Sequence, residues 1–185
     1  HLLRAMLWGS AFVSVAVLVT IVGYLFYKGF SYISFDFIFG DYSPVGGGGI
    51  FPMIITTIYT IIISLLIATP IGILAAVYLQ EYAKQGRLVR IIRYATESLT
   101  GIPSIIYGLF GAVFFVAILK LGMSIIAASL TLTIIVLPVI IRTTEEALKT
   151  VPASYREGSL ALGTTKLQTL YKVILPSAMP GILSG

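Results

Sequence analysis

The sequence predicts an all-α, polytopic helical membrane protein, and three observations carry that prediction. Of 185 residues, 58% are hydrophobic and only 10% are charged, where a soluble domain carries about 25% charged residues. Four uncharged windows reach or exceed the roughly 20 apolar residues of helix that cross a bilayer core. The basic residues collect in alternate segments between those windows. The same composition excludes several function classes. With no cysteine there is neither a disulfide nor a thiolate metal site. The lone histidine, His1, leaves no serine–histidine–aspartate or cysteine–histidine catalysis. So low a charge content fits neither a disordered tail nor a nucleic-acid-binding module.

The first window, residues 5–27, lies between Arg4 and Lys28. It ends in Tyr24-Leu25-Phe26-Tyr27, where a cleaved signal peptide would carry small residues, so it reads as a retained span. The second window covers residues 42–80. Ser43, Pro44 and four glycines at 46–49 read as loop, so its helix should begin near Ile50 and reach about Leu79. The third window is 98–119 and the fourth 121–141. From Val173 the chain turns apolar again for about 13 residues, too few to cross. This stretch is expected to open a fifth span inside which the chain breaks off, and a first residue other than Met fits the same reading. The organisation expected is residues 1–50 as an N-terminal span with an external loop, and 51–185 as a partial core carrying a cytoplasmic loop over 142–172.

Orientation follows from lysine and arginine. With the N-terminus inside, the inner segments hold Arg4, Lys84, Arg87, Arg90, Arg93, Arg142, Lys149, Arg156, Lys166 and Lys172, and the outer ones only Lys28 and Lys120. The N-terminus is therefore placed in the cytoplasm. The outer loop carries Phe30, Tyr32, Phe35, Phe37, Phe39 and Tyr42 before its glycines. It reads as an interfacial aromatic belt and flexible hinge, or as a docking surface for an outside partner. The glycines are not a phosphate-binding loop, because no lysine or serine follows at the required spacing.

In the first inner loop Arg87, Arg90 and Arg93 recur every three residues among Leu88, Val89, Ile91 and Ile92. Such a helix lies along the membrane surface with its arginines on anionic headgroups, or touches a partner. The third span contains Gly101, Pro103, Ser104, Gly108 and Gly111. These small and helix-breaking residues serve close helix packing, or open a translocation path lined by Ser104, Tyr107 and exposed backbone.

The loop over 142–172 is the most informative stretch. Pro152 should stop the helix covering 143–150. Ser154 stands three before Glu157 in capping-box spacing, so a short helix is expected from Tyr155 to Leu162. Gly163 then takes the left-handed position after the helix. Thr165 and Gln168 make a second capping box, opening a helix that rises through Leu170 and Val173. A two-turn helix is unstable alone in water and needs a groove to lie in. On the basic side of the membrane, that groove belongs to a cytoplasmic partner.

At this loop the chain resembles the ATP-binding-cassette (ABC) importer permeases, whose signature is Glu-Ala-Ala, three residues, Gly, nine residues, then aliphatic-any-Leu-Pro. Here the positions are Glu157-Gly158-Ser159, Gly163 and Val173-Ile174-Leu175-Pro176. Gly158 and Ser159 replace the alanines and remain small. The stretches Gly47-Gly48-Gly49-Ile50-Phe51-Pro52, Ala75-Ala76-Val77-Tyr78-Leu79-Gln80-Glu81-Tyr82, Gly101-Ile102-Pro103-Ser104-Ile105 and Leu137-Pro138 through Arg142-Thr143-Thr144-Glu145-Glu146-Ala147-Leu148 are similar to the phosphate-specific permease subfamily. They are closer to its PstA type than to its PstC type, over roughly residues 46–185.

The resemblance implies a type-I importer permease fold of six helices in a prokaryotic cytoplasmic membrane. It implies a second, PstC-type permease subunit, two cytoplasmic ATP-binding subunits that hydrolyse ATP, and a periplasmic or extracellular phosphate-binding protein. It makes Tyr155, Arg156, Glu157, Gly158, Ser159, Leu160, Ala161, Leu162 and Gly163 the coupling helix that docks the ATPase. No catalytic residue, metal or cofactor of the permease's own is expected.

Phosphate calls for arginine or backbone N–H donors. Arg142, at the inner end of the fourth span, is the nearest cation, with Glu145 and Glu146 at helical pairing distance. It is either a snorkelling anchor or, with Ser104, Tyr107 and Glu145, part of the substrate path. A membrane enzyme or a proton-coupled carrier would want an intramembrane carboxylate, and the windows contain none. A permease for molybdate, sulfate or amino acids, and a non-transporting membrane scaffold, remain the alternatives.

Overall fold

The structure, a computed structural model, describes residues 2–46, 48–84 and 86–184. Its chain divides into two units, His1–Thr56 and Thr57–Gly185. Among the described residues every regular element is helical.

In the first unit, α1 (Leu2–Gly29) shows apolar side chains to the outside all around its length, Trp8, Phe12, Leu18 and Phe26 among them. A helix apolar on every side belongs in a membrane or in the core of a larger protein. Its serine and threonine hydroxyls comply: Ser14 donates to the Ser10 carbonyl at 2.9 Å and Thr20 to the Ala16 carbonyl at 2.7 Å. A 3-10 turn over Phe30–Tyr32 and the short α2 (Phe35–Phe39) follow, α2 being capped by Ser34, whose Oγ accepts from the Phe37 N–H. Of the glycines after it, Gly48 and Gly49 lie against the backbone of the loop that precedes them. The Gly49 N–H donates to the Asp41 carbonyl at 2.8 Å, and Gly49 presses on the Gly40 backbone so closely that a Cβ on Gly49 would collide with it. Gly47 lies outside the described residues.

α3 (Phe51–Val77) begins in the first unit and runs on into a π-helical turn, Tyr78–Tyr82. In the second unit it lies beside α6 (Ile125–Thr150). Ser64 Oγ, 2.6 Å from the Thr60 carbonyl of its own helix, also lies 3.0 Å from the Ser129 carbonyl; Ser129 Oγ donates to the Thr60 carbonyl at 3.4 Å; and Thr133 Oγ1, 2.8 Å from the Ser129 carbonyl of its own helix, lies 3.4 Å from the Ser64 carbonyl. Further along, Gly72 faces Ile140 so tightly that a Cβ would sit 2.6 Å from its Cγ2. Small residues and hydroxyl-to-carbonyl bonds are how helices associate where water cannot help. The partner numbers rise together, so α3 and α6 are parallel. A parallel pair in one membrane requires a return crossing between its members.

Between them lie α4 (Arg87–Thr100) and α5 (Ser104–Gly111), with α5 extended by a π-helical turn over Ala112–Ile118, a pair that together is long and apolar enough to be one broken span. The two halves meet at 96°. The uncharged window over 98–119 is divided at its helix-breaking residues: Ser98 to Thr100 finish α4. Pro103 has no N–H to donate and pushes Ile102 out of the helical region, so the helix stops at Gly101 and restarts at Ser104. Gly111 then lets α5 close onto Thr131 of α6, where a Cβ would overlap the threonine side chain.

After α6 come α7 (Ala153–Ala161), α8 (Lys166–Thr169), a π-helical turn (Leu170–Ile174) and α9 (Leu175–Ser184). The last three form one rod that returns along α6, with Gly181 against Ala147. The buried core of this unit, Val77, Ala147, Leu148, Val151, Leu170, Ile174 and Ala178, gathers where the ends of α3 and α6 meet that rod.

Candidate functional site at the ends of α3 and α6

Two features crowd this junction: the α7 knob and a charged cavity beside it. α7 begins at Ala153, two residues earlier than Tyr155, and Leu162 is its C-cap instead of its last residue. The Ser154 capping box does not form. Pro152, with ψ 141°, is already the N-cap, which puts Ser154 inside the first turn where its hydroxyl cannot reach the exposed N–H groups. Gly163 does adopt the left-handed conformation, at φ +81°, which a β-branched residue would resist. The Thr165–Gln168 capping box is present, its two bonds 2.9 and 3.3 Å long.

The knob has two faces. Tyr155, Glu157, Gly158, Leu160, Ala161, Leu162 and Gly163 are exposed, Leu162 to 86%. Arg156 and Ser159 turn the other way. Ser159, Thr164 and Thr169 place three hydroxyls within 2.8 to 3.1 Å of one another, and Thr164 also donates to the Ser159 carbonyl at 2.7 Å. This cluster fixes the corner between α7 and α8. The Arg156 guanidinium reaches Glu81 Oε1 at 2.7 Å and the Val151 and Leu148 carbonyls at 2.9 and 3.0 Å.

The cavity encloses about 190 Å³ and is lined by Leu79, Arg93, Thr96, Glu97, Ile141, Arg142, Glu145, Glu146 and Lys149. Glu145 is its buried anion. Arg93 Nε lies 3.2 Å from Glu145 Oε2 and Lys149 Nζ 4.0 Å from the same atom. Arg93 Nη2 also donates to Gln80 Oε1 at 3.2 Å and the Leu79 carbonyl at 3.4 Å, so one side chain ties α4 to α6 and to the end of α3. The expectation that all three α4 arginines face headgroups is corrected for this one. Arg142 pairs with Glu146 at 3.2 Å and Glu97 at 3.7 Å and stays 52% exposed.

The structure thus brings Arg142 and Glu145 to one cavity and leaves Ser104 and Tyr107 outside its lining. Ser104 opens α5, exposed. Tyr107 is buried and spends its hydroxyl on the Leu99 carbonyl at 2.8 Å, bridging the break between α4 and α5. Thr144 is fully buried, and its Oγ1 has no partner among the described residues. Sequence reasoning missed Glu81, Arg93, Thr164 and Thr169 as members of the junction. Their partners lie up to 75 residues away, beyond any periodicity. The cavity's three cations face three carboxylates, so it can hold an anion only by exchanging one of its own. The knob offers a small-residue surface edged by Tyr155, Leu160 and Leu162, suited to a protein groove.

Comparison with known proteins assigns the same stretch. The family described as binding-protein-dependent transport system inner membrane component matches residues 68–185. The probable ABC transporter permease protein YqgI of Bacillus subtilis is 39% identical over 92% of this chain and 58% of its own length. The phosphate transport system permease protein PstA 1 of Mycobacterium tuberculosis is 38% identical over 75% of this chain and 45% of its own. The chain therefore spans about half the length of the curated relatives it matches. Among solved structures, a chain of the MetNI methionine ABC transporter, in inward-facing conformations, superposes with a TM-score of 0.58 at 28% identity, covering 74% of this chain and 63% of that one.

Proposed function

The chain belongs to the binding-protein-dependent transport system inner membrane components, and from that premise we propose that it is a pore-forming permease subunit of an ATP-driven phosphate importer. Its α7 knob would be the element that receives work from cytoplasmic ATPase subunits. The carrying observation is the knob itself. Residues 155–163 carry an exposed small-residue face, a glycine corner at φ +81° and an inward face bonded to the bundle. Phosphate as cargo is supported by the PstA relatives. The N-terminus would lie in the cytoplasm, by the distribution of lysine and arginine. The partners would be a second, PstC-type permease subunit, two ATP-binding subunits and an external phosphate-binding protein.

Arg142, ion-paired and half-exposed at the rim of the cavity, would act as a gate on the phosphate path. A phosphate leaving inward could take the place of Glu146 on its guanidinium without stranding a buried charge. Ser104 and Tyr107, away from this cavity, would line the path nearer the break before α5.

The test is assembly of the native-length permease with its ATPase subunits in lipid nanodiscs. Copurification, followed by ATP hydrolysis that rises when phosphate-loaded binding protein is added, supports the reading. Hydrolysis that responds to molybdate, sulfate or an amino acid in place of phosphate replaces the cargo. Failure to bind ATPase subunits overturns the coupling role.

A further inference from the structure

We propose that the Arg156–Glu81 pair is the joint through which movement of α7 reaches the second span, so that Arg156 is a positioning residue and not a contact for the partner. The proposal rests on α7 being the docking element. Arg156 stands in the middle of the outward-reading stretch 155–163, yet its guanidinium points back into the bundle. Its Nη2 and Nε lie 2.7 and 3.2 Å from Glu81 Oε1, its Nη1 donates to the Val151 carbonyl, and its Nη2 also meets the Leu148 carbonyl. Those carbonyls lie at the C-terminal end of α6, where they lack helical partners and where a cation is favoured. One planar fork therefore clasps α7, the end of α6 and the end of α3 at once.

The receiving end is equally particular. Glu81 sits in the π-helical turn Tyr78–Tyr82, and its neighbour Gln80 is held from the far side by Arg93 of α4. That five-residue turn is thus gripped by α7 through one arginine and by α4 through another. The pair is sheltered, with side chains 25% and 17% exposed, so water screens it less than a surface pair. Beside it, α7 is connected through the chain at Val151–Pro152 and at the Gly163 corner, through hydroxyls that reach α8, and through packing on the π-helical turn Leu170–Ile174, which belong to the returning rod and not to α3. The clasp is what lets a push on α7 move α3.

The experiment measures phosphate uptake per ATP hydrolysed in proteoliposomes holding the native-length permease, its ATPase subunits and binding protein. Arg156→Gln and Glu81→Gln should each still copurify the ATPase subunits while uptake per ATP falls about tenfold. The exchange of both, Arg156→Glu with Glu81→Arg, should recover part of it. Unchanged uptake per ATP in the single variants, loss of ATPase-subunit binding in Arg156→Gln, or an exchange no better than the singles would each overturn the joint. A wild-type assembly that does not bind ATPase subunits overturns the functional reading beneath it.

Discussion

Where Thr60, Ser64, Ser129 and Thr133 meet, α3 and α6 are fastened by neutral hydroxyl-to-carbonyl bonds; several turns further along, at Gln80, Glu81 and Glu145, the same two helices are fastened through Arg93 and Arg156. The difference follows from surroundings. Ser64 and Ser129 are fully covered, and a separated donor there would find no water, so the register is fixed. At the other end Arg93 and Arg156 make sheltered ion pairs, while around them Arg142, Glu97 and Glu146 are half-exposed or more, and pairs of that exposed kind open into solvent at a cost of about 1 kcal/mol or less. One end of the pair is held by neutral bonds alone and the other by charges, of which the outermost are free to rearrange.

Four substitutions would break or sharpen this contrast, in falling order of effect. Gly72→Val forces a side chain onto Ile140 at the tight end and should destabilise by about 3 kcal/mol, read as a loss of thermal unfolding midpoint in detergent. Glu145→Gln removes the carboxylate shared by Arg93 and Lys149. It should cost about 2 kcal/mol, less than a fully buried pair because Arg93 keeps some access to water. The same assay should show the smaller drop, and limited proteolysis should show α4 released first. Arg142→Gln should leave that midpoint within about 1 kcal/mol of wild type while lowering phosphate uptake; unaltered uptake would remove Arg142 from the path. Thr144→Val deletes a buried hydroxyl without a partner among the described residues. It should be neutral or raise stability by up to about 1 kcal/mol, and a loss would mean the hydroxyl has a partner in the assembled transporter.

Much of this architecture was legible in local chemistry. Pro152 stops α6, Gly163 turns left-handed, and Thr165 with Gln168 caps α8, because each device acts within a few residues of itself. The break at Pro103 was visible as a helix-breaking cluster, but not its 96° bend, since proline dictates where a helix stops and packing dictates where the next begins. Ser154 misled because spacing alone cannot tell whether the preceding proline has already started the helix. The ion pairs of Arg93 and Arg156 escaped sequence reading for a different reason. Counting arginines gives a side of the membrane, whereas their partners Glu145 and Glu81 come from helices 52 and 75 residues away in sequence.

The tight seam and the knob also define a lever. From Thr133 to Thr150 is 17 residues of α6, an arm of about 26 Å. If the seam acts as fulcrum, a tilt of about 10° there sweeps the far tip through roughly 4 to 5 Å on that arm length. A motor gripping the tip needs only a short stroke.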